Sequence, residues 1–146
     1  MITLGEGQEK SYNPMDPWRE WNAMSKRMLM KTPVLDVEIE LNDCATADSI
    51  WLALPFEAYV NVWGEEIYFE IPVDMKLENG RKLMEVGEVA FWSEGKALCF
   101  FFGPTPASSG PQPAAYSPVS PVGKVTSDPS ALKEIGDRTH VSLERL

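Results

Sequence analysis

VNVWGEEIYFEIPV, residues Val60 to Val73, alternates apolar and polar side chains and is broken once, at Gly64 and Glu65. A two-residue hairpin loop there sets Trp63 opposite Glu66, Val62 opposite Ile67, Asn61 opposite Tyr68 and Val60 opposite Phe69, continuing to Tyr59 with Glu70 and Ala58 with Ile71. Strand side chains alternate across a sheet. One face therefore carries Ala58, Val60, Val62, Ile67, Phe69 and Ile71, and the other Tyr59, Asn61, Trp63, Glu66, Tyr68 and Glu70. The first is a core face. The second holds three aromatics and two carboxylates and has two readings. Its aromatics are cross-strand neighbours on a solvent-facing sheet, each pair worth about 0.2–1 kcal/mol, or they form a surface covered by another segment or by a ligand. Glu66 and Glu70 do not form an acid–base pair, because four strand residues span about 13 Å against the ~5–9.5 Å such carboxylates use.

The 146 residues suffice for one domain with a real core, and 44% hydrophobic residues is ordinary for a globular protein. With 13 Lys+Arg against 22 Asp+Glu the net charge is -9, which opposes phosphate binding and excludes nucleic acid and anionic membranes as expected partners. Cys44 and Cys99 lie too far apart for a C-x-x-C motif, and His140 is the one histidine. A Cys/His metal site lacks ligands, so no metal and no cofactor is expected, and the cysteines read as free, buried thiols. Cys99 in an apolar strand reads as inert packing and His140 as a surface imidazole. No apolar run approaches the ~18 residues of a membrane span, and the N-terminus lacks the apolar core of a signal peptide, so a cytoplasmic location is expected.

Residues 1–33 stand apart. Asp16 and Pro17 read as an N-cap and first-turn pair, after which Trp18, Trp21, Met24 and Met28 fall on one helical arc. Such a helix packs on the domain or binds a partner; the third reading is a mis-called start, with translation beginning at Met28 or Met30. From Val34 the pattern turns to strands. "VLDVEIEL" buries Val37, Ile39 and Leu41, and "ATADSIWLALP" reads as a two-turn helix capped by Thr46 and presenting Ile50, Trp51 and Leu54. "GEVAFW" and "KALCFFFG" flank a turn at Ser93–Gly95, the second apolar enough to be covered on both sides. Residues 103–123 are rich in Pro, Ser and Ala without a period and read as a long loop, with a short strand resuming at "GKVTS". "DPSALKEIG" reads as a second short helix capped by Asp128, and "THVSLERL" as a final strand. Short strands, two short helices and no βαβ unit predict a mostly β domain over residues 34–146, a closed or nearly closed antiparallel barrel.

Three blocks in order, "VNVWGEEIYFEIPV", "VGEVAFWSEGKALCFFFGPTP" and "QPAAYSPVSPVGKV", resemble the small cyclophilin-like proteins of bacteria and archaea. The resemblance covers roughly residues 34–144. It implies a compact, closed, eight-stranded antiparallel barrel with helices at its ends, similar to that of peptidyl-prolyl isomerases, though fold does not fix function. Cyclophilins act with an arginine beside a groove of phenylalanine, methionine, glutamine, tryptophan and histidine. Here Phe69 or Glu70 falls at the arginine position and no arginine lies between Lys31 and Gly80, while Cys99 falls near the groove glutamine and Phe101 at the groove phenylalanine. The resemblance puts the groove on the outer barrel wall, the face of Tyr59, Asn61, Trp63, Glu66, Tyr68 and Glu70. The expected function is binding of a peptide or small molecule by those residues and Phe101, with no catalytic residue. The alternatives are a divergent peptidyl-prolyl isomerase, for which Arg81 is the available cation, and an oligomerisation module. Monomer and homodimer are both compatible with the sequence.

Overall fold

The computed structural model describes residues 26–146. The helix expected around Trp18, Trp21 and Met24 lies outside them. Among the described residues ten strands form one antiparallel sheet: β1 Arg27–Lys31, β2 Asp36–Leu41, β3 Phe56–Tyr59, β4 Asn61–Val62, β5 Glu66–Glu70, β6 Arg81–Leu83, β7 Glu88–Trp92, β8 Ala97–Phe101, β9 Ala114–Val125 and β10 His140–Arg145. The ladder runs β3-β10-β1-β2-β9-β7-β8-β5-β4, with β6 attached to β9 at the side. Its two end strands are successive in the chain and separated only by Val60, whose N–H donates to Thr139 O (2.9 Å) and whose carbonyl accepts from Arg138 N (2.7 Å). The hydrogen-bonded path is therefore an open run of nine strands with β6 at its side, where a closed barrel of eight was expected.

The hairpin forms at the expected register, Asn61 opposite Tyr68 and Val62 opposite Ile67, and Trp63 N donates to Glu66 O at 2.9 Å across the Gly64–Glu65 loop. Gly64 sits at φ +62, where an added Cβ would lie 2.8 Å from Pro106 Cδ, so glycine is required there for conformation and for space. The pairing stops at Val60. Beyond it the strand crosses to β10, placing Tyr59 opposite His140 and Ala58 opposite Val141 rather than opposite Glu70 and Ile71. Val62, expected in the core, is exposed near the hairpin tip.

The sequence boundary at Val34 falls inside the sheet. β1 lies between β2 and β10, with Met28 opposite Ile39 and Arg145 and both Met28 and Met30 wholly buried. Met28 is thus a strand residue and not the end of a helical arc. The helix α1 spans Ala45–Ala53, and its cap is Cys44, whose sulfur accepts from Ala47 N at 3.4 Å. Thr46, the expected cap, instead lies in the first turn, where Glu78 accepts from Ala45 N (3.2 Å), Thr46 N (2.9 Å) and Thr46 Oγ1 (2.7 Å). A distant carboxylate serves these free amides, which suits the positive end of the helix. The second helix is a 3-10 turn at Pro129–Glu134, capped as expected by Asp128, whose Oδ1 accepts from Ser130 N.

The largest correction concerns residues 114–125, read as loop up to Gly123. They form the longest strand, β9, paired to β2 through Gly123–Val125, to β7 through Ser120–Lys124 and to β6 through Ala114 and Val119. Pro118 and Pro121 are accommodated beside irregularities of register in the β6 and β7 ladders, the places a sheet tolerates residues without an N–H.

Candidate functional site

Side chains alternate so strictly along β5, β7 and β8 that the sheet acquires two apolar faces. Ile67, Phe69, Val89, Phe91, Leu98 and Phe100 join the inner core, whereas Ala90, Cys99 and Phe101 build a second cluster on the outer face with Met84, Ala115 and Val119. Tyr68 and Trp92 pack against this outer cluster. A cavity of about 310 Å³ opens on it, lined by Trp63, Glu66, Tyr68, Trp92, Cys99, Ala115, Tyr116 and Val119. That volume is at the lower end of the ~300–1,000 Å³ of small-molecule sites.

Four aromatic rings line the cavity and touch in sequence. Trp63 and Tyr116 have centroids 6.3 Å apart with planes at 74°, Tyr116 and Trp92 5.9 Å at 73°, and Trp92 and Tyr68 6.5 Å at 89°. These edge-to-face geometries are the favourable ones for rings with negative faces and positive edges. Trp92 is further fixed because its Nε1–H donates to Ser117 Oγ (2.8 Å), whose hydroxyl donates to Glu94 Oε1 (3.2 Å). Gly95 provides the room: a Cβ at that position would overlap the Trp92 ring.

Glu66 is the charged group of the cavity. Its side chain enters from β5, only 5% of the residue is exposed, and Oε1 is buried with no hydrogen-bond partner among the described residues. Burial pushes its pKa up to about 7, and a hydrogen bond with Cys99 pulls weakly the other way. Cys99 responds in kind: burial first, then the neighbouring Glu66 carboxylate, raises its thiol well above the ordinary value. A thiol held protonated is a poor nucleophile, and Cys99 is buried in the outer apolar cluster.

Of the seven residues singled out from sequence, Trp63, Glu66 and Tyr68 meet in this cavity. Phe101 is wholly buried in the cluster to which the cavity-lining Cys99, Ala115 and Val119 also belong. Tyr59 has crossed to β10, where its ring packs at 5.3 Å on that of His140. Asn61 Nδ2 donates to Tyr68 O, and Glu70 is exposed at the far end of β5. Sequence reasoning missed Trp92 and Tyr116. Both stand in the blocks of the resemblance, but Tyr116 was read as loop, and the pairing that brings β9 beside β7 is not local. Arg81 is no part of the cavity lining; its guanidinium pairs with Glu88 and donates to Leu83 O (3.0 Å). His140 lies on the surface, its Nε2 2.7 Å from Glu57 Oε1.

A family model described as Cyclophilin-like matches residues 26–144. The solution structure of a hypothetical protein from Archaeoglobus fulgidus is similar, with a TM-score of 0.72 and 34% identity, over 84% of this chain and 95% of that one. No curated protein matches the sequence.

Proposed function

The chain belongs to the Cyclophilin-like family, and from that membership we propose that it is a binding protein whose outer-face cavity takes a small molecule or a peptide side chain. One observation carries the reading: four aromatic side chains surround a buried carboxyl group whose Oε1 has no hydrogen-bond partner among the described residues. Buried polar groups are otherwise paired, and an apolar cavity with a few convergent polar groups is the usual form of a ligand site. On the same footing we propose that the sheet wraps into a barrel through Phe56–Val62, which meets β10 at one end and β5 at the other. The two free cysteines support a reducing, cytoplasmic location.

Prolyl isomerisation is not part of this reading. Rotation about a peptide bond costs ~18–20 kcal/mol of resonance, and a catalyst must hold a donor where the twisted amide needs it. Among the described residues no Lys, Arg or His lines the cavity, and Arg81 is engaged by Glu88. The test is an NMR titration of the full chain with neutral, cationic and anionic fragments and a proline tetrapeptide, following the indole N–H signals. Shifts at Trp63 and Trp92 with Trp51 unmoved are expected; a library that moves neither indole overturns the reading. Tetrapeptide exchange as fast as a cyclophilin control's, lost in Arg81→Ala, would replace binding by catalysis.

A further inference from the structure

The carboxyl of Glu66 specifies a ligand charge. Among the described residues the groups facing it are the Cys99 thiol from β8, the Tyr68 phenol from its own strand, the Tyr116 phenol from β9 and the uncharged indoles of Trp63 and Trp92; none of these is a cation. An ionised carboxylate so placed needs a positive partner, and the described residues lining the cavity supply none. Aromatic rings attract cations electrostatically, so the four rings favour the same ligand sign as the carboxylate. A net charge of -9 adds a long-range field in that direction.

Three kinds of cation differ in what they require. A hard metal ion needs about six oxygen ligands, and a lone carboxylate with two phenols does not provide them. A primary ammonium brings three strongly hydrated N–H donors, each of which must find an acceptor in a cavity walled mostly by ring and aliphatic carbon, where the carboxylate and the two phenol oxygens are the acceptors among the lining residues. Methyl groups remove those donors and keep the charge. Building on the reading of this cavity as a binding site, we propose that its ligand is a methylated organic ammonium ion, with the Glu66 carboxylate as counter-charge and Trp63, Tyr68, Trp92 and Tyr116 around the methyl groups.

The sign of the pH dependence follows. With its pKa near 7, Glu66 is mostly neutral in mild acid and mostly ionised in mild base, and an ammonium ion takes only the ionised form. A neutral ligand offering a carbonyl would take the protonated form and show the opposite trend.

Calorimetric titration of the full chain with choline, and with its neutral carbon isostere dimethylbutanol, tests this at about pH 6 and about pH 8. Choline is expected to bind about tenfold more tightly at the higher pH, in proportion to the competent fraction, while dimethylbutanol binds weakly and without a pH trend. Glu66→Gln should abolish the trend and weaken choline at the higher pH by about tenfold or more; Trp92→Leu should weaken choline and keep the trend. Dimethylbutanol binding as tightly as choline, or choline affinity that is flat or falls with pH, overturns the ammonium assignment and leaves the cavity as a binding site. Choline failing to bind while neutral fragments shift the Trp63 and Trp92 indoles does the same. Failure of choline and of every fragment overturns both readings.

Discussion

Glu66 is where residue chemistry and folding energetics meet. Its pKa in the folded chain, about 7, lies above the ordinary glutamate value of 4.5 because burial disfavours the ionised form. The stabilising contribution of the protonated form is fully present below the ordinary value and is lost as pH rises through 7. The difference corresponds to roughly 3 kcal/mol. Glu66→Gln, which stays neutral, should therefore gain about that much on wild type between about pH 4 and about pH 8, read from urea denaturation at each pH. A constant difference would mean that Glu66 is solvated. Next to it, Phe69→Ala should cost about 3–5 kcal/mol, as buried aromatic truncations do, and Tyr68→Ala distinctly less, since Phe69 is wholly buried in the inner core and Tyr68 is only partly covered on the outer face. Equal losses would contradict the register. These faces were legible in the sequence because alternation is a local property. The burial of Glu66 was not, since the cavity that holds it is also lined by Tyr116 and Val119, about fifty residues away.

At the scale of elements, the strands with clean alternation were legible and those without it were not. β2, β7, β8 and β10 stand where the pattern put them, within a residue or two. β1 was missed because "RMLMK" is short and its methionines also fit a helical arc. β9 was missed because Pro118, Pro121 and Gly123 interrupt its alternation, and only its neighbours on both sides make it a strand. A chain beginning at Val34 should consequently fail to fold: it leaves β2 and β10 without the strand between them and removes Met28 and Met30, each worth about 2–5 kcal/mol in a buried site against a total of ~5–15. Cooperative unfolding of that truncation at the full chain's denaturant midpoint would show that β1 is dispensable. The capping of α1 gives a further test. Hydrogen bonds from Thr46 and Ala45 hold the Glu78 pKa below the usual carboxylate range, so its contribution is present above that range and is lost as pH falls below it. Glu78→Ala should lower the melting temperature at neutral pH, with the gap closing in acid; a gap unchanged by pH would mean that the carboxylate charge does not serve the helix.

For the whole molecule, the deciding feature is a sheet with an apolar cluster on each side. The inner cluster is what any mostly β domain needs. The outer one is excess apolar surface, and β6, β9 and the ring-lined cavity account for it. The ordered segment before β9 belongs to the same arrangement: Thr105 Oγ1 donates to Ala114 O and Thr105 N donates to Ser108 Oγ at 2.9 Å, while Glu65 N donates to Pro104 O at 2.9 Å, tying it to the hairpin tip beside Trp63. The sequence located this face through one hairpin and could not show its far wall. The most direct measurement is a crystal structure of the full chain soaked with a mixed fragment library. Ligand density between Trp63, Glu66, Tyr68, Trp92 and Tyr116 is the expected result. Fragments bound only elsewhere, with the cavity filled by ordered waters bridging Glu66, would contradict the assignment of this face as the binding site.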